Sequence, residues 1–181
     1  MLRMAELSTL RNQAMTTSAD SRVQPSWRFI FSHPAHFLSF GFGSGLFPKA
    51  PGTAGTLVAF PIYWILAERL TDALFILVLI WAFAVGVWVC EKTGKTLGVP
   101  DHGGMVWDEI VAFLLVLFFT PEGFFWQLLA FFLFRFFDIV KPPPIRHFDQ
   151  TWHGGLGVMF DDILAAGYTL LSLALVKSVL L

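Results

Sequence analysis

The sequence predicts an all-α fold, a multi-helix integral membrane bundle of about four to five apolar helices. Three observations carry that expectation. Hydrophobic residues make up 56% of the chain and charged residues 14%, against soluble averages of roughly 45–50% and about 25%. There are 21 Phe and 7 Trp residues, which suits lipid-facing packing and interfacial anchoring better than a soluble core of this size. The polar residues are also segregated. They gather in glycine- and proline-rich stretches between apolar runs at about 53–67, 73–90, 110–120, 123–137 and 163–181. A net charge of −1 offers no surface for nucleic acid, and Cys90 stands alone, so there is no disulfide framework.

Residues 1–27 are polar, with no apolar core after the first basic residues. They read as a flexible tail rather than a signal peptide, ahead of a single domain over 28–181. The aromatic stretch 28–40 is broken by Pro34 and is too short to span; it reads as an interfacial helix, with His33 and His36 interfacial too. The next stretch, GFGSGLFPKAPGTAGT over 41–56, has loop composition. It lacks the Gly-Lys-Ser/Thr ending of a nucleotide phosphate loop. Its glycines still let backbone N–H groups approach an anion, and Lys49, Ser44, Thr53 and Thr56 add donors.

If all five apolar runs cross a membrane, the chain alternates sides. The loops at 41–56, 91–109 and 138–162 then share one face, and the short turns after the first and third runs share the other. With the tail and Arg135 counted alongside the long loops, every Lys and Arg except Arg69 and Lys177 falls on that side, which the positive-inside rule makes cytoplasmic. Hydropathy alone therefore collects the polar segments into one place.

The chemistry in those segments is acidic. Asp108 and Glu109 lead into IVAFLLVLFF, and Asp161 and Asp162 lead into ILAAGYTLLSLALV. Adjacent carboxylates at the start of an apolar helix are costly unless paired or metal-bound, although one acid alone is ordinary helix-dipole chemistry. Asp138 closes the preceding apolar run, where the dipole disfavours an acid. Pro142, Pro143 and Pro144 read as a stiff extended arm, and Gly154, Gly155 and Gly157 as a loop allowing close backbone approach. An oxygen-rich set of this kind suits Mg²⁺, and no HExxH or CxxC spacing points to zinc. Lys49, Lys141 and Arg146 can neutralise phosphate oxygens, and His153 has a side chain that can work as general acid or base near neutral pH.

The motifs GFGSGLFPKAPGTAGT, DHGGMVWDEIV and FRFFDIVKPPPIRHFDQTWHGGLGVMFDDILAAG, in that order, closely resemble the phosphatidylglycerophosphatase A family of bacterial membrane enzymes over about residues 28–175. Thr56, Ala112 and Pro143 stand where Ser, Gly and Trp are common in that family, and no carboxylate is lost. The resemblance implies Mg²⁺-dependent hydrolysis of phosphatidylglycerophosphate to phosphatidylglycerol and phosphate in the inner membrane.

The residues themselves lead to the roles: Asp108, Glu109, Asp161 and Asp162 are expected to hold one or two Mg²⁺ ions. Asp108, Asp161 and Asp138 are expected to share the catalytic work with His153, which protonates the leaving glycerol oxygen or activates the water. Lys49, Gly52 and Thr53 are expected to cradle the phosphate, supported by Lys141 or Arg146. The sequence does not exclude a covalent phospho-aspartate or phospho-histidine route. Two other classes stay open: a small membrane transporter or ion-pathway protein, in which intramembrane acids mark an ion path, and a helical domain bound peripherally to the membrane.

Overall fold

A computed structural model of the chain describes residues 24–180, so most of the expected N-terminal tail lies outside the described residues. The described chain is all-helical. Its helices are α1 (Trp27–Ile30), α2 (Pro34–Ser39), α3 (Pro51–Arg69), α4 (Asp72–Leu97), α5 (Trp107–Phe119), α6 (Phe124–Val140), α7 (Ile145–Thr151) and α8 (Gly155–Leu180), with a 3₁₀ segment at Gly41–Leu46.

Helix α5 is apolar on every side below its first turn, and an all-round apolar helix belongs inside. It occupies the centre, packed against α3, α4, α6 and α8, with Ile110, Ala112, Phe113 and Val116 fully buried. Its 13 residues give a length of roughly 20 Å at about 1.5 Å per residue, which suffices for a helix shielded by longer neighbours. Helices α4 and α8 have 26 residues each, roughly 39 Å, and both are long and apolar enough to cross a membrane. Their outward faces are apolar too. Leu74, Leu77, Trp81 and Trp88 form an exposed stripe on α4, as do Phe125, Leu128, Phe132 and Phe136 on α6.

Several elements differ from the sequence reading in instructive ways. Helix α4 continues through Glu91–Leu97 and ends at Gly98 in the left-handed conformation, φ 70°, a conformation glycine adopts without penalty. Helix α8 begins at Gly155, in what reads as loop, because its cap comes from another helix: the Gly155 N–H donates to Glu91 Oε2 on α4 at 2.7 Å. Gly155 also sits so close to α4 that a Cβ there would strike the Val87 carbonyl. The three prolines form a turn into α7 rather than an extended arm, with the Ile145 N–H donating to the Pro142 carbonyl at 2.8 Å. The 28–40 stretch is not simply interfacial. Phe29, Ile30, Ala35 and Ser39 are in the core, and buried His36 bonds to Thr93 of α4 through Nδ1 at 3.0 Å.

The first turns of α3, α5 and α8 and the last turn of α6 meet at one end of the bundle. Three contacts tie that end down: the Val106 N–H to the Ser39 carbonyl (2.8 Å), Trp107 Nε1–H to the Ala82 carbonyl (3.1 Å) and the Tyr168 hydroxyl to the Pro143 carbonyl (2.7 Å).

Candidate metal centre

The three polar loops expected to meet do meet, and carboxylates lie at the junction. One oxygen from each of Asp108, Glu109 and Asp162 lies within 4.8 Å of the others. Asp108 and Glu109 stand in the first turn of α5, and Asp162 lies in the second turn of α8, which packs against it. Asp108 and Asp162 are 7% and 3% exposed, so little water is left to screen their carboxylates from one another. Asp108 Oδ1, Glu109 Oε2 and Asp162 Oδ2 are all buried without a hydrogen-bond partner. One orphaned oxygen on each member of a converging triad is the donor set a hard cation fills. The residues present therefore fit a divalent metal.

A basic frame surrounds the triad. Arg135 Nη1, on α6, lies 2.6 Å from Asp138 Oδ2 and 3.7 Å from Glu109 Oε1, and it reaches Thr56 Oγ1 at 3.5 Å. Asp138 in turn rests against Asp162. Thr56 donates to the Gly52 carbonyl at 2.9 Å, which puts the first turn of α3 against the centre. A Cβ at 52 would displace Glu109 Oε1 and come within 2.9 Å of Arg135 Nη2, so a larger residue there must shift the triad.

Lys141 caps α6 in the left-handed conformation, φ 46°, a strain of about 1–3 kcal/mol for a residue other than glycine. That turn directs its ammonium between Asp149 Oδ1, at 2.6 Å, and Asp161 Oδ2. Burial works against the Lys141 charge, but Asp161 and Asp149 outweigh it and hold the amine above the usual lysine range. Asp101, in the loop before α5, belongs to the same neighbourhood. Crowding away from water pushes its carboxyl up, Lys141 opposes that, and Asp149 and Asp138 add to it.

The expected site residues therefore separate. Asp108, Glu109, Asp162, Asp138 and Gly52 are together at the centre. Asp161 is paired with Lys141 through Oδ2 and accepts from the Asp162 N–H at 3.1 Å, so it neighbours the metal position and is not among the clustered oxygens. Lys49 and Thr53 line a cleft on the other side of α3. Arg146 and His153 are exposed, and neither has a hydrogen-bond or ion-pair partner among the described residues. The member sequence reasoning missed is Arg135. Its signal is a lone cation three residues before an acid in the otherwise aromatic run FFLFRFFD.

The sequence model of the phosphatidylglycerophosphatase A family matches residues 37–177, spanning every one of these positions. The chain belongs to the phosphatidylglycerophosphatase A family. It is 44% identical over 148 residues to the Haemophilus influenzae phosphatidylglycerophosphatase A, covering 81% of this chain and 91% of that one. It is 46% identical over 140 residues to the Escherichia coli enzyme of the same name, covering 76% and 80%. A Bacteroides thetaiotaomicron relative named for a phosphatidylinositol-3-phosphatase activity is 39% identical over 149 residues, covering 77% and 91%. No solved structure matches the chain. Within the family framework the acidic triad, Arg135 and Gly52 are the residues this fold brings into contact.

Proposed function

We propose that the protein removes the terminal phosphate of phosphatidylglycerophosphate, giving phosphatidylglycerol and inorganic phosphate, with Mg²⁺ held by Asp108, Glu109 and Asp162. The observation that carries this is the buried triad with one unpartnered oxygen per member at the polar end of an apolar bundle. When bound, Mg²⁺ supplies charge stabilisation to a phosphoryl group as it transfers.

The chain's own residues do the rest. Arg135 fixes Glu109 and Asp138, and its buried Nε–H, which has no protein acceptor, is a donor for a phosphate oxygen. Gly52 keeps the α3 start close enough for backbone N–H groups to face the same anion. Asp138, held beside the triad by Arg135, accepts the proton that an attacking water gives up, and Asp161 holds Lys141 at the edge of the site. His153 supplies the proton that the leaving glycerol oxygen needs, and Lys141 and Arg146 add positive charge around the product phosphate.

The bundle is read as multi-pass in the bacterial inner membrane, with the polar end cytoplasmic. The apolar stripes on α4 and α6 would face lipid, and the Lys and Arg distribution would orient the site. An ion pathway is the weaker reading, because the acids gather at one end of the bundle rather than along its axis.

The test is phosphate release by purified wild type and Asp108→Asn, with and without Mg²⁺. Phosphatidylglycerophosphate, phosphatidic acid and phosphatidylinositol 3-phosphate are compared as substrates. Wild type is expected to act on the first, with Mg²⁺, in preference to the others. A wild-type-like rate in Asp108→Asn at saturating Mg²⁺ would sink the metal assignment, and a preference for phosphatidylinositol 3-phosphate would sink the substrate.

A further inference from the structure

We infer that the cleft between the Gly41–Ala50 segment and the outer side of α3 seats the diacylglycerol phosphodiester of the lipid substrate, with Lys49 on the inner phosphate. This rests on the function proposed above and assigns Lys49 a different role from the transferred phosphate. The cleft has a volume of about 650 Å³ and is lined by Lys49, Ser44, Thr53, Trp27, Leu57 and Val58 among others. Its polar and apolar groups are ordered. Lys49 and Thr53 stand at the polar start of α3, and Leu57 and Val58 lie about one turn further along it. That order matches a lipid, anionic at the interface and apolar below.

Helical geometry joins this cleft to the centre. Gly52 and Thr56, four apart, face Glu109 and Arg135, while Thr53 and Leu57, also four apart, face the cleft. Gly52 and Thr53 are consecutive, so the two places lie about 100° apart around the same turn of α3. A headgroup carrying a terminal phosphomonoester and an inner phosphodiester, bridged by glycerol, can straddle that turn. No side chain caps the start of α3, which leaves backbone N–H groups there for an anion.

Charge supports the same occupant. Lys49 is exposed and makes no ion pair among the described residues. A cleft of about 630 Å³ between the start of α4 and the end of α5 carries Asp72, which repels an anion, and a groove of about 470 Å³ between α4, α5 and α8 has no charged group in its lining. It can take a hydrocarbon but cannot select an anionic headgroup.

The experiment is steady-state kinetics of the full-length protein on phosphatidylglycerophosphate in mixed detergent micelles. Lys49→Ala is expected to raise KM about tenfold, the usual worth of a charge-assisted contact, while kcat stays within about twofold. Lys49→Arg keeps the charge and is expected to restore KM. Val58→Trp, which fills the cleft, is expected to raise KM without touching the charge. A fall in kcat at constant KM in Lys49→Ala would overturn the inference, since it places Lys49 on the transferred phosphate. Unchanged KM in both Lys49→Ala and Val58→Trp would also overturn it. A wild type that releases no phosphate from this lipid would bring down the underlying function first, and the cleft's assignment with it.

Discussion

Asp108–Glu109 and Asp161–Asp162 look alike in sequence, each pair leading into an apolar run. In the folded chain they differ. Both members of the first pair reach the metal position, whereas the second pair divides, Asp162 to the triad and Asp161 to Lys141. Successive residues of a helix diverge by roughly 100°, so both pairs splay, and the difference lies in what each member meets. Asp108 and Glu109 stand in the first turn of the central helix α5, where Asp162 of α8 and Arg135 of α6 both come within reach. On α8, Asp162 turns to that cluster while Asp161 turns to Lys141 at the end of α6. The same splay therefore keeps one pair in the cluster and divides the other.

The largest expected effect separates the two members of that divided pair. Asp162→Asn removes one of three clustered acids and is expected to lower kcat roughly a thousandfold, the order of a lost transition-state charge contact. It should also abolish the rise in Tm that Mg²⁺ gives the wild type, because a ligand that binds only the folded state stabilises it. In the absence of Mg²⁺, relief of like-charge repulsion should make this variant no less stable than wild type. Asp161→Asn is expected to cost about 10–100-fold, the range for a group that orients a metal site, and to keep the Mg²⁺-dependent Tm shift. Loss of that shift in Asp161→Asn would show that the α8 pair acts as one unit after all.

Gly52→Ala probes how tightly the α5 pair is held. The added methyl would overlap Glu109 Oε1 and crowd Arg135, an overpacking expected to cost about 1–3 kcal/mol. That should appear as a lower Tm and a lower kcat together, because the displaced group is part of the triad. An unchanged Tm would mean that Glu109 has room to move and is not fixed by α3.

Much of this was legible without coordinates. Composition and the five apolar runs are enough for an all-helical bundle, and loop alternation brings 41–56, 91–109 and 138–162 to one end. What was not legible depends on contacts between distant segments. Nothing near Gly155 announces a helix start, because the cap is Glu91, 64 residues earlier. The division of Asp161 from Asp162 depends on Lys141 and on the α5 acids, which are also distant in sequence, so it was hidden for the same reason. Arg135 was overlooked because its value lies in partners on α3 and α5, although its spacing from Asp138 was visible. Lys49 and Gly52 look like one phosphate cradle in sequence, yet Lys49 lines the cleft with Thr53 while Gly52 faces Glu109 and Arg135.

The smallest expected effect sharpens the same comparison from the side of Lys141. Its ammonium is shared by Asp161, which is 7% exposed, and Asp149, which is 35% exposed, measured on the side chains. Water screens the outer partner more, and exposed ion pairs are worth about 0–1 kcal/mol. Asp149→Asn is therefore expected to change kcat by less than about threefold and to leave the Mg²⁺-dependent Tm shift intact, because Asp161 still holds Lys141. With Asp161 already replaced by Asn, Asp149 is the last acid on Lys141. The second substitution should then cost more than it does alone. Simple additivity in that double-mutant cycle would show that the two acids act independently, and that Lys141 does not link α7 to the second acidic pair.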